Sequence, residues 1–411
     1  MTNVLFNTSH FVTDLAKKDF AAMITRLMPQ GMAPLFGLTG MLNSKTAINF
    51  EHGFFTKTMV FPEMQINNGA GYVAGITTFT VDSTANLLPN MIMRNERTGE
   101  NVIINTVPDA TSVTVAREVG TVAAAAILDN DVWYEIGNAF EEASVRPDAH
   151  SIDPVRVTNL TQIFRNTWAI SGSAEAVEVI AGDSTDAENR QDCAGFHAAA
   201  IEKSLFFGQK SSGTRNGKPF RTMDGLINIV EDPTNYPAIY AGVPNSFSAA
   251  GTTNYSQLEA MLDPVFNQST DPKVANERLL FVGGDAKVVL NNIGRINGTY
   301  QLISGETAWG LQFDTLKISR GTFRIIEHPL FNTNAAWKKM AVGVDLSTFA
   351  LAYLRGRKTQ NKEFNTSGNQ AQDNGIDAIG GTLTTECTCE VRNPPANVII
   401  RGLTAADPVP G

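Results

Sequence analysis

VRVTNLTQIFRNTWAISGSAEAVEVI, residues Val155 to Ile180, is rich in Val, Ile, Thr, Phe and Trp, and its apolar and polar residues partly alternate. β-Branched and aromatic residues at a period of two describe an extended, two-faced segment. A helix is predicted to begin just beyond it. Ser184 and Asp186 suit an N-cap, Glu188 lies in the acid-favouring first turn, and Ala194, Ala198, Ile201 and Leu205 recur on one face. Gly208, a residue that tolerates the left-handed C-cap conformation, is predicted to end this helix after about five or six turns. Gln209 to Arg221 then reads as a basic, Gly/Ser-rich loop, and Met223 to Val230 as strand-like.

The order NLTQIF, SGSAEAV, IEKSLFFGQKS, GKPFRTMDGLINIV resembles the major capsid proteins of tailed bacteriophages with the Hong Kong 97 type of shell fold. The run RLMPQGMAPLFGLTGML (Arg26 to Leu42) is similar to the start of such proteins, and TLTTECTCEVRNPPANVIIRGL (Thr382 to Leu403) to their end, so the resemblance spans nearly the whole chain. It implies an α+β fold with an N-terminal arm, an extended β loop, a peripheral domain carrying a long spine helix, and an axial domain.

Composition is compatible with that reading. A chain of 411 residues, 43% apolar and 18% charged, is an ordinary globular one with room for two or three packed units. The net charge is −9 and Lys and Arg form no continuous run, so the electrostatic footprint of a nucleic-acid binder is missing. A shell lining that holds dense DNA without adhering to it is better neutral or acidic, and −9 is equally an ordinary solubility charge. Three cysteines make no disulfide framework, and Cys387 and Cys389 are expected to fill a core. The first twenty residues lack the pattern of a signal peptide, no window approaches a membrane span, and a soluble, unsecreted protein is expected.

Along the chain, Val12, Ala16, Phe20, Met23, Ile24 and Leu27 recur at helical intervals behind Thr13, predicting an amphipathic N-terminal helix that Pro29 and Gly31 end. The sequence leaves open whether it packs on its own domain or, as the resemblance implies, on a neighbouring subunit. Between Phe50 and Ile136 short strand candidates alternate with turn signals at Asn67 to Gly71, Thr98-Gly99 and Pro108-Asp109. The expected division is 1–49 arm, 50–64 and 154–182 extended-loop strands, 65–142 inserted β-rich unit, 183–235 with 378–411 peripheral domain, and 252–377 axial domain. Asp232 to Asn254 reads as a connection and Asn361 to Asp377 as an exposed loop. Helices are expected over Ser256 to Phe266 and Asp285 to Ile293, and strands over Arg278 to Gly284, Phe313 to Ile318, Thr322 to Glu327, Met340 to Asp345 and Phe349 to Leu354. Two last strands, Leu383 to Arg392 and Val398 to Gly402, are expected to return beside the spine helix.

Catalytic patterns fail on spacing. Gly213 to Lys218 (GTRNGK) has three residues between its glycines and Pro219 after the lysine, where a phosphate loop needs four and then Ser or Thr. The histidines His10, His52, His150, His197 and His328 are scattered, with no zinc spacing, and His197 is expected to be a packing residue. Ser171-Gly172-Ser173 lacks the glycine of a nucleophile elbow, Asp183, Asp186 and Glu188 fit a helix start, and Gly283-Gly284 lacks a third glycine. No catalytic, cofactor-binding or metal-binding residue is assigned, and no enzyme activity. Some capsids of this fold join subunits through a Lys-Asn isopeptide bond, but nothing marks Lys57 and Asn393 as a pair and no cross-link is expected.

The sequence thus leads to a shell subunit that forms pentamers and hexamers of an icosahedral phage head around double-stranded DNA, assembled in the bacterial cytoplasm and resident in the virion. Its expected partners are copies of itself, a separate scaffolding protein, a portal and a decoration protein, with only weak, non-specific contact to packaged DNA and none to membrane. The competing readings are a minor head or tail protein and a cytoplasmic hydrolase.

Overall fold

The computed structural model describes residues 33–42, 44–57, 61–147, 151, 153–177, 185–232, 245–249, 253–267, 276–297, 303–308, 311–364 and 377–404. The predicted N-terminal helix, His10, His150, Asp183, Ser184, most of the Asp232 to Asn254 connection and 365–376 lie outside them. Two compact units result: Lys57–Pro154, and the remainder of the chain on either side of it.

The larger unit opens with α1 (Pro34–Leu42), β1 (Ser44–Ala47) and β2 (Glu51–Thr56). The inserted unit holds β3 (Glu63–Gln65), β4 (Thr78–Thr80), β5 (Met91–Asn95), β6 (Asn101–Asp109), β7 (Ser112–Ala116) and β8 (Val132–Asn138). The larger unit resumes with β9 (Val155–Leu160), β10 (Gln162–Ser171), α2 (Gly172–Ala176), α3 (Thr185–Phe207), β11 (Ser211–Arg215), β12 (Lys218–Thr222), α4 (Leu226–Glu231), β13 (Ser246–Ser248) and α5 (Tyr255–Leu262). After these come β14 (Glu277–Val282), α6 (Gly284–Asn297), β15 (Ile303–Ala308), β16 (Leu311–Lys317), β17 (Thr322–Glu327) and β18 (Ala341–Val344). The last strands are β19 (Phe349–Leu354), β20 (Gln360–Phe364), β21 (Ala378–Val391) and β22 (Val398–Arg401).

Two sheets organise the larger unit. In the first, β1, β19, β21 and β10 lie side by side and β20 also pairs with β21. β10 and β21 form an antiparallel ladder from Gln162 opposite Cys387 to Ser171 opposite Ala378. The second sheet runs β13-β22-β18-β14-β17-β16-β15, with α5 and α6 contributing Leu258, Leu262, Ala286, Val289, Leu290 and Ile293 to its core. β2 and β9 pair antiparallel, Glu51 opposite Leu160 to Thr56 opposite Val155.

Several expectations are corrected. The segment from Pro34 onward is no free arm: Leu35 and Leu38 are buried, and β1 pairs parallel with β19. β10 belongs to the first sheet rather than to a loop with β2, which among the described residues pairs with β9. β19 and β20 join β21, whereas β22 leaves it for β18 and β13 in the second sheet. Residues 226–230 of the expected strand Met223 to Val230 are helical, with Leu226, Ile227, Ile229 and Val230 all buried; so short an apolar run, broken only by Asn228, carries no period to separate strand from buried helix. Gln209 to Arg221 is largely a hairpin, β11 against β12, turned at Asn216-Gly217 with φ of 51° and 71°. Asn-Gly is the dipeptide that a two-residue hairpin favours.

In α3 the buried stripe is Cys193, His197, Ile201 and Leu205, whereas Ala194 is exposed and Ala198 half-buried. Ile201 and Leu205 lie on the predicted face, and its first half shifts by one residue because both His197 nitrogens have hydrogen-bond partners and the ring can be buried. Gly208 ends the helix, but not by a positive φ. A Cβ there would stand 2.6 Å from the carbonyl oxygens of Met223 and Ser204, and Gly225 N–H donates to Gly208 O at 3.0 Å. The two glycines let α3 and the segment leading into α4 touch backbone to backbone.

The inserted unit is a sheet of order β3-β8-β5-β6-β7-β4 whose edge strands meet through the antiparallel bridge Ile66–Val81. Asn67 N–H donates to Thr80 O at 2.9 Å and Asp82 N–H to Gln65 O at 3.0 Å, so the sheet closes on itself and has no free edge. Met64, Ile66, Phe79, Val81, Met93, Val102, Ile104, Val113, Val115 and Trp133 fill the interior. Arg117 and Glu100 form a buried two-point ion pair at 2.9 and 2.6 Å.

Candidate assembly surfaces

The informative chemistry of the larger unit is a set of buried polar groups that fix where its outer elements lie. Glu202, on the buried side of α3, is fully buried. Its Oε1 accepts from Leu35 N–H at 2.9 Å and its Oε2 from Phe36 N–H at 2.7 Å, so a carboxylate 167 residues away satisfies the first donors of α1. His328 Nε2 donates to the same Oε1 at 2.8 Å. Leu330 N–H donates to Nδ1 at 3.2 Å, which fixes the imidazole proton on Nε2. Phe331 stacks on the imidazole at 4.4 Å, and Phe206 and Phe281 meet it edge-on. The point at which the chain enters α1 is thereby tied to α3.

Two carboxylates on β21 do the same for other elements. Glu390 accepts from Lys45 Nζ of β1 at 2.8 Å and from His52 Nε2 of β2 at 2.9 Å. Burial alone would raise its pKa, but these hydrogen bonds and the charges beside it hold it at about 2. Glu386 accepts from Thr161 Oγ1 at 2.8 Å, pairs with Arg357 at 2.5 Å and lies 3.6 Å from Arg221 of β12. Asn159 of β9 exchanges hydrogen bonds with the Asp224 backbone and donates to Cys389 O at 2.9 Å. β2, β9 and the hairpin are thus anchored by buried polar groups with partners.

The residues considered from sequence find structural places. His197 Nδ1 meets Asn166 Oδ1 at 2.8 Å and Nε2 meets Thr385 Oγ1 at 2.7 Å, joining α3 to β10 and β21. Burial lowers its pKa, favouring the neutral ring. Arg215 and Lys218 stand exposed at the hairpin tip, whereas Arg221 stacks over Phe50 at 4.6 Å. Ser171 caps α2 through Ala174 N–H, and Asp186 pairs with Arg190 at 3.2 Å. At Gly283 a Cβ would stand 2.4 Å from Lys338 O, and Gly284 N–H donates to Asn332 Oδ1, so close backbone packing accounts for that pair. Cys387 and Cys389 are buried, and burial pushes the Cys387 thiol up to about 12. Lys57 is exposed beyond β2, and Asn393 precedes a 3-10 turn at Pro394–Ala396. Among the described residues no group of three His, Cys, Asp or Glu side chains could hold a metal ion, and no helix is long and apolar enough to cross a membrane. Sequence reasoning missed Glu202 and His328; the available signal was a glutamate beside Ile201 on the apolar side of the helix.

Large apolar side chains remain outside the cores. Ile48 is 76% exposed, Phe55 on β2 71% and Phe196 on α3 62%. Single exposed apolar residues are ordinary, but Phe55 and Phe196 are large ones on anchored elements, and Ile48 stands in the bend after β1.

A long helix packed on a β-sheet, with a β pair opening into an insertion, defines a shell subunit of the Hong Kong 97 type. The capsid protein of a native GTA particle shares this fold with a TM-score of 0.50 at 8% identity, over 98% of this chain and 100% of that one. The chain belongs to the SU10 major capsid protein family, whose family model matches residues 2–404. It is 37% identical over 412 residues to the major capsid protein of Pseudomonas phage PaMx41, covering 98% of this chain and 96% of that relative. Its role is accordingly structural, that of a phage capsid component. That family places it in the shell itself, over the readings as a decorating protein or a hydrolase.

Proposed function

We propose that copies of this chain associate into pentamers and hexamers that tile an icosahedral head enclosing double-stranded DNA. The observation that carries the reading is a set of exposed apolar side chains: Phe55 on β2 and Phe196 on α3, elements held by buried polar anchors, and Ile48 in the bend between β1 and β2. Heterologous contacts of this kind close into rings, and many modest contacts acting together hold a shell. In this picture 183–235 and 378–411 build the peripheral domain around α3, and most of 252–377 the axial domain. The β2–β9 pair is the base of the extended loop. No catalytic step is assigned. A separate scaffolding protein, a portal and a decoration protein are the expected partners, packaged DNA is touched weakly, and assembly takes place in the host cytoplasm.

The test is expression of the full chain, alone and with its head-assembly partners, followed by sedimentation and negative-stain microscopy. Closed shells containing this chain as the dominant band are expected. On denaturing electrophoresis the band should run near 44 kDa without a ladder. A chain that remains a monodisperse monomer in every combination would overturn the proposal.

A further inference from the structure

Charge is divided unevenly along this chain. Residues 57–154 carry thirteen Asp and Glu against five Lys and Arg, so −8 of the −9 net charge falls in the inserted barrel unit. Two of its arginines are neutralised internally, Arg117 by Glu100 and Arg97 by Asp131. Glu63, Glu135, Glu141 and Glu142 have no ion pair among the described residues.

One barrel face is also apolar. Glu63 lies opposite Tyr134, and Glu135 N–H donates to Pro62 O, which sets Phe61 beside Ile136. Ile92 pairs with Gly137 and with Ile103, extending this outer row across β5 and β6. Phe61, Tyr134 and Ile136 are 77, 46 and 52% exposed. Arg94, which shares the row with Tyr134, lies 3.7 Å from Glu96.

The hairpin β11–β12 has the opposite character. From Gln209 to Thr222 it holds Lys210, Arg215, Lys218 and Arg221 and no acidic residue. Lys210 Nζ donates to Thr158 O and Arg221 is held over Phe50. Arg215 and Lys218 face each other across the ladder at the turn, exposed, with no acidic partner among the described residues. Like charges directly opposite destabilise a hairpin, so this tip lacks a counter-charge. Phe220, 41% exposed, adds an apolar contact beside them.

We propose that the hairpin tip of one copy docks on the acidic barrel of a second copy. Phe220 meets the Phe61–Tyr134–Ile136 row, while Arg215 and Lys218 meet the carboxylates of Glu63, Glu141 and Glu142. The occupant is another copy because this chain alone supplies both members of the complementary pair, and a contact between different patches is the heterologous type that propagates. The inference rests on the shell reading and adds a specific contact to it.

Charge exchange tests it in the full chain under whichever conditions give shells. Arg215→Glu with Lys218→Glu, and separately Glu63→Lys with Glu141→Lys and Glu142→Lys, should each lower particle yield about tenfold, while circular dichroism and the melting temperature of the unassembled chain stay unchanged. Combining both sets should restore particles. A second measurement needs no charge change: Phe220→Cys and Ile136→Cys copies carrying different tags, mixed and oxidised, should give a mixed disulfide dimer. Undiminished assembly of the Arg215/Lys218 variant, failure of the exchanged chain to recover, or absence of the mixed dimer would each overturn the contact. A parent chain that never assembles would overturn the shell reading and this contact together.

Discussion

Glu202 and His328, 126 positions apart in sequence, share a 2.8 Å hydrogen bond in a site where neither side chain reaches solvent. The same carboxylate caps α1, so a single buried charge joins the spine helix, the second sheet through the segment after β17, and the start of the described chain. Glu202→Gln would turn an amide NH2 either toward Phe36 N–H or toward Leu35 N–H and His328 Nε2, donor against donor. A loss of about 3 kcal/mol in the urea denaturation of the unassembled chain is expected, with faster proteolysis near residue 33. An unchanged midpoint and digestion pattern would show that the cap does not hold α1.

Acid should weaken the fold in two separate windows. Glu390 titrates below the ordinary carboxylate range, so its stabilisation is present above about pH 4.3 and is lost as pH falls toward 2. His197 is shifted down by burial, so the fold favours the neutral ring and loses stability once pH drops below about 6.5. Unfolding free energy measured against pH should lose its low-acid slope in Glu390→Gln and the slope that sets in below about pH 6.5 in His197→Gln. Parallel curves for parent and variants would contradict both assignments.

The glycine pair at the end of α3 should resist substitution. Gly208→Ala places a Cβ 2.6 Å from two carbonyl oxygens, and Gly225→Ala places one 2.6 Å from Gly208 N. Each is expected to cost about 1–3 kcal/mol, and the double variant less than the sum because one backbone shift relieves both. Gly213→Ala on the hairpin, where nothing lies within 4 Å, is the neutral control in the same thermal melts.

The inserted unit should fold when excised as Lys57–Pro154, since its barrel is closed and its core is its own. Trp133, the sole tryptophan there, is fully buried and should report one cooperative transition. Arg117→Met leaves Glu100 buried without its partner and is expected to lower stability by about 3 kcal/mol. A non-cooperative fluorescence change in the parent fragment would refute independent folding.

Local patterns were legible where one residue's neighbours in sequence decide its state. The strand before α3, the helix from the capping region to Gly208, and the short strands between Phe50 and Ile136 all follow from periods and turn residues. Where no period existed, as in Leu226 to Val230, strand and buried helix could not be told apart. Ile201 and Leu205 of the predicted α3 stripe are buried, but Cys193 and His197 take the places of Ala194 and Ala198, because hydrogen bonds from two strands made a polar residue buriable.

The amino-acid order alone determined that this chain is α+β, where its long helix runs, and the order of runs that resembles phage shell proteins. Only tertiary structure decided that Pro34 to Ala47 is built into the body, that β10 lies against β21, that β22 crosses to the other sheet, and that Glu202 caps a helix 167 residues away. The physical reason is that a period records which face of an element is apolar, whereas strand partners and buried charge pairs are chosen by surfaces that meet only when distant segments are brought together.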